Sequence, residues 1–437
     1  MSMDIAASPS PATLTASEAR RQIRAGGLTP LALTQACLAR IAGRDRAVRA
    51  WITVNPAVEA QAAAVVAEDP RPLAGIPVGI KDMIETAELP TTHNSPLYGT
   101  NRPANDAPCV EILKAAGALV LGKLDTSEFA AGGRHAATVN PHDLTRIPGG
   151  SSSGSAAAVA DGHVPLALGT QTGGSTIRPA AYCGVTALKP SWGLISTEGV
   201  KRYAVSFDTV GLFARAVEDL QLLADVFNLP EAPAAAPGRL RLGLCRTPYF
   251  DRAEPETVAM FDQLEGLLAP VADLVPFEAP EGFGEADELH RCVMHCEGAA
   301  AFLNLVRTRG TLLHDDFHDR VELRNGYTQR QHYEAYDRLA LMRIALEKRM
   351  AGVDAVLAPS APGYAPQYVE GVRPRENPLF NACWTAMQVP VLNLPVMGPG
   401  DHLPLGVSVI GPRAEDRRVL AIGARLAGLL DRRGAAG

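Results

Sequence analysis

The stretch GGSSSGSAAAVADGHVPLALGTQTGGSTIRPAAYCGV, residues 149–185, decides how the rest of the chain is read. It opens as a Gly/Ser loop that runs directly into an Ala-rich segment, 154–161, whose composition favours helix. An apolar run at 164–169 has the length of a buried strand. A second glycine turn, Gly173-Gly174, leads into a short helix over 177–183. Upstream, 76–80 and 118–122 read as strands and 109–116 as a helix. Strands alternating with short helices predict an α/β fold, a mixed central sheet covered by helices on both faces.

Working outward, residues 1–14 are Ser/Pro/Ala-rich and read as a flexible N-terminus. Ser17 reads as the cap of a helix ending near Ala25, and Thr29-Pro30 opens a second helix to about Ala42. A strand is expected at 50–55, followed by an Ala-rich helix that stops before Asp69-Pro70. On the other side, the Pro/Ala-rich segment 229–239 reads as a surface connection. Beyond it the pattern predicts strands at 240–245, 354–358, 391–396 and 405–410, and helices at 256–268, 328–350 and 414–430.

With 437 residues, 47% of them hydrophobic, the chain can bury one large α/β core or two modest ones. The net charge of −6 and the lack of a Lys/Arg stripe argue against a nucleic-acid partner. Seven scattered cysteines form no disulfide framework, which points to a reducing compartment, and the expectation is a cytoplasmic protein. Cys292 and Cys296, four apart on a predicted helix, lack a second ligand pair, so packing explains them better than a metal. No secretory leader and no run of 18 apolar residues is present, so no membrane association is expected.

Three segments carry residues that a core does not need. In GIPVGIKDMIET, 75–86, an apolar strand ends on Lys81. Burial would lower its pKa and make it a general base, whereas a surface Lys81 would pair with Asp82. In PGGSSSGS, 148–155, the loop before the helix is either plain flexible chain or an anion cradle, but it lacks the ending of a P-loop. In GTQTGGS, 169–175, the glycines let backbone N–H groups approach a ligand, and Ser175 sits where a nucleophile would. No histidine lies in that segment and no G-x-S-x-G elbow surrounds Ser175, which favours a Ser–Lys system over a Ser-His-Asp triad.

Together these segments resemble the amidase signature family over nearly the whole chain, most densely at 149–190. The resemblance rests on Gly75, Pro77, Lys81 and Asp82, on Ser151 as the first serine after Gly-Gly, and on Ser175 at 24 positions beyond it. It implies a single domain over 15–437, with Ser175 as nucleophile, Ser151 as proton bridge after a cis peptide bond, and Lys81 as base. The N–H groups of Thr172, Gly173, Gly174 and Ser175 would form the oxyanion hole. No cofactor and no metal is implied, and a homodimer is compatible with it.

Arg178, three residues after Ser175, is either a structural ion-pair partner or a clamp on a substrate carboxylate. GTQTGGSTIRPAAYCG looks most like malonamidase-type members, in which the matching arginine holds the acid end of a short amido acid. Gln171 stands where transamidosome components usually carry Asp, and 126–143 departs from their usual block. The expectation is therefore a small-substrate amidase. A carboxybiuret or allophanate-type hydrolase and the amidase-like component of a tRNA-dependent amidotransferase are the alternatives, with a non-catalytic scaffold a weaker one. His135 is a candidate substrate contact, and Tyr182 and Trp384 read as core.

Overall fold

The computed structural model describes residues 10–233, 238–369, 374, 376–397 and 403–431. Among them, eleven strands form one mixed sheet: β1 Trp51–Val54, β2 Pro77–Lys81, β3 Leu119–Leu124, β4 Leu166–Gln171, β5 Thr186–Lys189, β6 Thr209–Ala214, β7 Leu240–Leu244, β8 Ala272–Pro276, β9 Ala355–Pro359, β10 Val391–Val396 and β11 Leu405–Ile410. Their order is β1-β3-β2-β4-β6-β5-β10-β11-β9-β7-β8. Strand β2 is parallel to both β3 and β4, and β7 is parallel to both β8 and β9. The central strands from β4 to β9 pair antiparallel.

Every residue of β2, β3, β4 and β6 is buried, so these strands lack the polar–apolar alternation of a half-exposed sheet. Helices Ser153–Ala160 and Ile177–Cys183 are likewise buried along nearly their full length, so they are Ala-rich and small. The expected α/β architecture with a mixed sheet is the one observed.

Local differences have physical reasons. Thr15, not Ser17, caps the first helix, Ala16–Arg24, with its hydroxyl accepting from Glu18 N at 3.1 Å. The second helix, Pro30–Val48, runs past Ala42 because Val48 is buried, and Arg49 ends it in the left-handed region. Of residues 1–14, the described part forms a turn, Pro11–Thr13, with Ala12 buried; residues 1–9 lie outside the described residues. Strands β5, β6 and β8 are not marked by the sequence pattern. β5 has only four residues and ends at Lys189-Pro190, β6 is interrupted by Gly211, and β8 is a half-exposed edge.

The segment 286–350 folds as the helices Ala286–Arg309, Asp315–Val321 and Gln329–Met350. Phe302 and Phe317 from this layer pack edge and tilt against Phe129 and beside Tyr203. All seven cysteines are free and buried, Cys292 and Cys296 among them on the first of these helices. No helix among the described residues is long and apolar enough to cross a membrane.

Candidate active site

Because β2 and β4 are adjacent and parallel, their carboxyl ends fall on the same edge of the sheet, with Ile80 opposite Leu168. The next residue of β2 is Lys81, and the end of β4 supplies Thr170 and the loop carrying Ser175. Lys81 is fully buried. Its Nζ lies 2.7 Å from Ser151 Oγ, 3.0 Å from Ser152 Oγ and 2.7 Å from Thr170 Oγ1. Burial holds its amine well below the usual lysine range, partly opposed by the charge of Asp208. Three hydroxyls suit a neutral amine, which donates two hydrogen bonds and accepts one through its lone pair. The surface-pair alternative is removed, because Asp82 turns to Lys123, 3.3 Å away.

Each serine of the Gly/Ser loop has a separate task. Ser152 Oγ donates to Thr170 O at 3.1 Å and accepts from Thr170 N. Ser153 Oγ donates to Gly149 O, and Ser155 Oγ to Leu168 O. Ser152 is thus fixed by β4, and Ser151 is the serine of this loop that meets both Lys81 and the cavity. The Gly150–Ser151 peptide bond is cis. Gly154 is required by packing, since a Cβ there would sit 2.4 Å from Ala50 O and 2.5 Å from Asp125 N.

The loop after β4 is clamped on several sides. Thr172 Oγ1 donates to Asp208 Oδ1 at 2.5 Å, and His290 Nε2 lies 2.8 Å from Thr172 O. Burial pushes the His290 imidazole down to about 4, so it is neutral near pH 7 and its Nε2–H donates to that carbonyl. Thr385 Oγ1 donates to Gly173 O at 2.7 Å, and Gln171 Oε1 accepts from Thr176 N and Ile177 N. Among the described residues, the N–H groups of Gly173, Gly174 and Ser175 donate to no acceptor. These groups and Ser175 itself line a cavity of about 290 Å³, together with Gly150 and Ser151.

Arg178 also lines this cavity, but it already holds a carboxylate. Its Nε donates to Glu376 Oε2 at 2.8 Å and its Nη2 to Gly150 O at 2.8 Å. The same Glu376 oxygen accepts from Gly150 N at 2.7 Å. Only Nη1 is left without a partner among the described residues. The reading of Arg178 as a substrate clamp does not include this internal counter-ion.

Lys81, Ser151, Ser175, Thr172, Gly173, Gly174 and Arg178 are therefore brought to one place. His135 lines the same cavity, whereas Tyr182 and Trp384 are buried away from it. Sequence reasoning missed Ser152, Thr170, Asp208, His290, Thr385 and Glu376, and the lining residues Tyr203, Met294, His295 and Arg320. Most of these come from segments far along the chain that carry no short motif. Thr170 and Ser152 could have been flagged as polar residues inside otherwise apolar or small-residue runs.

The chain matches the amidase family model over residues 32–420. It is 34% identical to the A-type subunit of the glutamyl-tRNA(Gln) amidotransferase of Chloroflexus aurantiacus, covering 94% of this chain and 95% of the relative. The corresponding protein of Thermus thermophilus is also 34% identical, over 93% of this chain and 95% of its own length. Among solved structures, a crystal structure of an amidase superposes with a TM-score of 0.86 at 29% identity, covering 96% of this chain and all of that one. The peptide amidase of Stenotrophomonas maltophilia gives a TM-score of 0.79 at 27% identity, over 95% and 96%. The particular closeness to malonamidase-type members is not what these relatives display. With its buried lysine, its two glycine-flanked serines and this extent of similarity, the chain belongs to the amidase signature family.

Proposed function

We propose that the chain hydrolyses the C–N bond of a small amide through an acyl-enzyme on Ser175. The observation that carries this reading is the buried, neutral-leaning Lys81 amine 2.7 Å from Ser151, which opens onto the cavity holding Ser175. Ser175 Oγ bonds to the amide carbon while its proton moves to Ser151, whose own proton moves to Lys81 Nζ. The carbonyl oxygen, now an anion, is met by the N–H groups of Thr172 through Ser175; one such donor is typically worth about 2.7–4 kcal/mol of barrier. The C–N bond then breaks as the proton returns to the leaving nitrogen, releasing ammonia or an amine. Water, deprotonated by the same relay, releases the acid and restores Ser175. An amide that forms part of a urea would follow the same steps.

The test is ammonia release by the purified chain from a panel of small amides, ureas, amido acids and glutamine. Ser175→Ala should abolish turnover; full activity in that variant would remove the mechanism. A second reading follows from the relatives named as amidotransferase components. In it, the chain would hydrolyse glutamine and pass ammonia to an acyl-tRNA in a partner's keeping. Glutamine turnover that appears only with partner proteins and charged tRNA would favour it. Turnover of other amides by the chain alone would favour the first.

A further inference from the structure

The cavity is also lined by a cation whose nitrogens are only partly partnered among the described residues. Arg320, on the helix Asp315–Val321, lines the cavity with its guanidinium carbon 4.6 Å from the Tyr203 ring centroid. Its Nε and Nη1 are shielded from solvent and have no hydrogen-bond partner among the described residues. Asp316, one turn earlier on its helix, accepts from Gly133 N at 3.0 Å and makes no ion pair with Arg320 within 4 Å. Two other arginines around the site are balanced, Arg134 by Glu128 and Arg178 by Glu376. Beside Arg320, His295 lines the same cavity with an unpartnered, shielded Nδ1. Gly132 stands beside the Arg320 tip: a Cβ there would lie 3.2 Å from Asp316 Oδ2 and 3.5 Å from Arg320 Nη2.

A half-buried guanidinium without a counter-ion is costly, and an arriving anion recovers that cost as a charge-assisted hydrogen bond. We infer that Arg320 binds an anionic group of the substrate that Ser175 attacks, so that the preferred substrates are amido acids whose carboxylate is read by Arg320 rather than by Arg178. The inference rests on the proposed chemistry at Ser175 for its geometry. A cavity of about 290 Å³ suits short-chain substrates of this kind.

The test compares malonamate, succinamate and glutaramate with propionamide, butyramide and valeramide, in the unmodified chain and in Arg320→Met and Arg320→Lys. At least one acid should exceed its neutral counterpart in kcat/KM. Arg320→Met should lower kcat/KM for that acid about 10- to 100-fold more than for the neutral amide, through KM. Arg320→Lys should recover part of the difference. Calorimetric binding of the acids to Ser175→Ala, with and without Arg320→Met, separates the two claims. Binding lost with Arg320, in a chain that turns over none of the panel, would overturn the hydrolysis reading and keep the anion site. Equal loss on acids and neutral amides, or no acid binding to Ser175→Ala, would overturn the inference.

Discussion

Asp82 and Lys123 form a buried ion pair at 3.3 Å, both with no side-chain exposure. The pair takes the only acid adjacent in sequence to Lys81 out of its reach and leaves Lys81 to three hydroxyls. Lys123 also donates to Ile84 O and Thr91 Oγ1, and Asp82 accepts from Thr92. Asp82→Asn is therefore expected to leave the Lys123 charge buried without its partner, at a cost of about 3–5 kcal/mol. A urea midpoint within experimental error of the parent would contradict this.

Lys81→Met should lower kcat by a factor on the order of 10²–10⁴, the usual worth of a general base. In the parent, the acidic limb of the pH profile should report Lys81: activity is expected to fall as pH drops through its depressed folded-state pKa and the amine becomes an ammonium. The residual activity of Lys81→Met should lack that limb. A pH profile of unchanged shape would show that another group is the base.

Asp208 acts on the site in two ways, by holding Thr172 and by opposing the fall of the Lys81 pKa. Burial raises its own carboxyl to about 6, against which the Thr172, Tyr203 and Ala204 donors work. Asp208→Asn removes the charge, so the Lys81 amine should lose its proton at still lower pH and the acidic limb should move down. The loosened Thr172 loop should lower kcat by about tenfold, less than the loss of a whole oxyanion donor. A limb displaced upward would refute the electrostatic part.

Arg178 ties Gly150 to Glu376, and thereby holds the loop that presents Ser151. Arg178→Met should depress kcat/KM by a similar factor for acidic and neutral amides, on the order of 10²-fold from misplacement of the relay. A loss confined to acids would return the carboxylate to Arg178.

Lys189 is fully buried and, among the described residues, makes one hydrogen bond, to Pro190 O; burial lowers its amine from 10.5 to about 7. The folded chain therefore binds fewer protons here than the unfolded chain between about pH 7 and 10.5. Its contribution to stability is present above the unfolded value and is lost as pH falls toward about 7. Lys189→Met should raise the denaturation midpoint near neutral pH and flatten the rise of stability from about pH 7 to about 10. An unchanged slope would contradict this.

The sheet was legible where a strand carries a mostly apolar run, as in β4, β10 and β11, and illegible where strands are short or at an edge, as in β5 and β8. The grouping of Lys81, Ser151 and Ser175, proposed as the relay, was legible because they stand on local patterns of glycine and small residues at definite spacing. Glu376 and Arg320 were not, since each is a single charged residue outside any motif, Glu376 meeting Arg178 across the fold and Arg320 reaching the cavity from the helix Asp315–Val321. No periodicity marks a residue whose importance comes from what it faces. The same limit explains Arg178, whose position was readable but whose counter-ion, 198 residues away, was not.

The burial of all seven thiols has a practical corollary. Cys37 and Cys109 are pushed up to about 12 and Cys245 to about 11, so almost no thiolate exists near neutral pH. Alkylating reagents should thus be poor inhibitors of the native chain, and the pace at which they label it becomes a clock for how often the folded core opens.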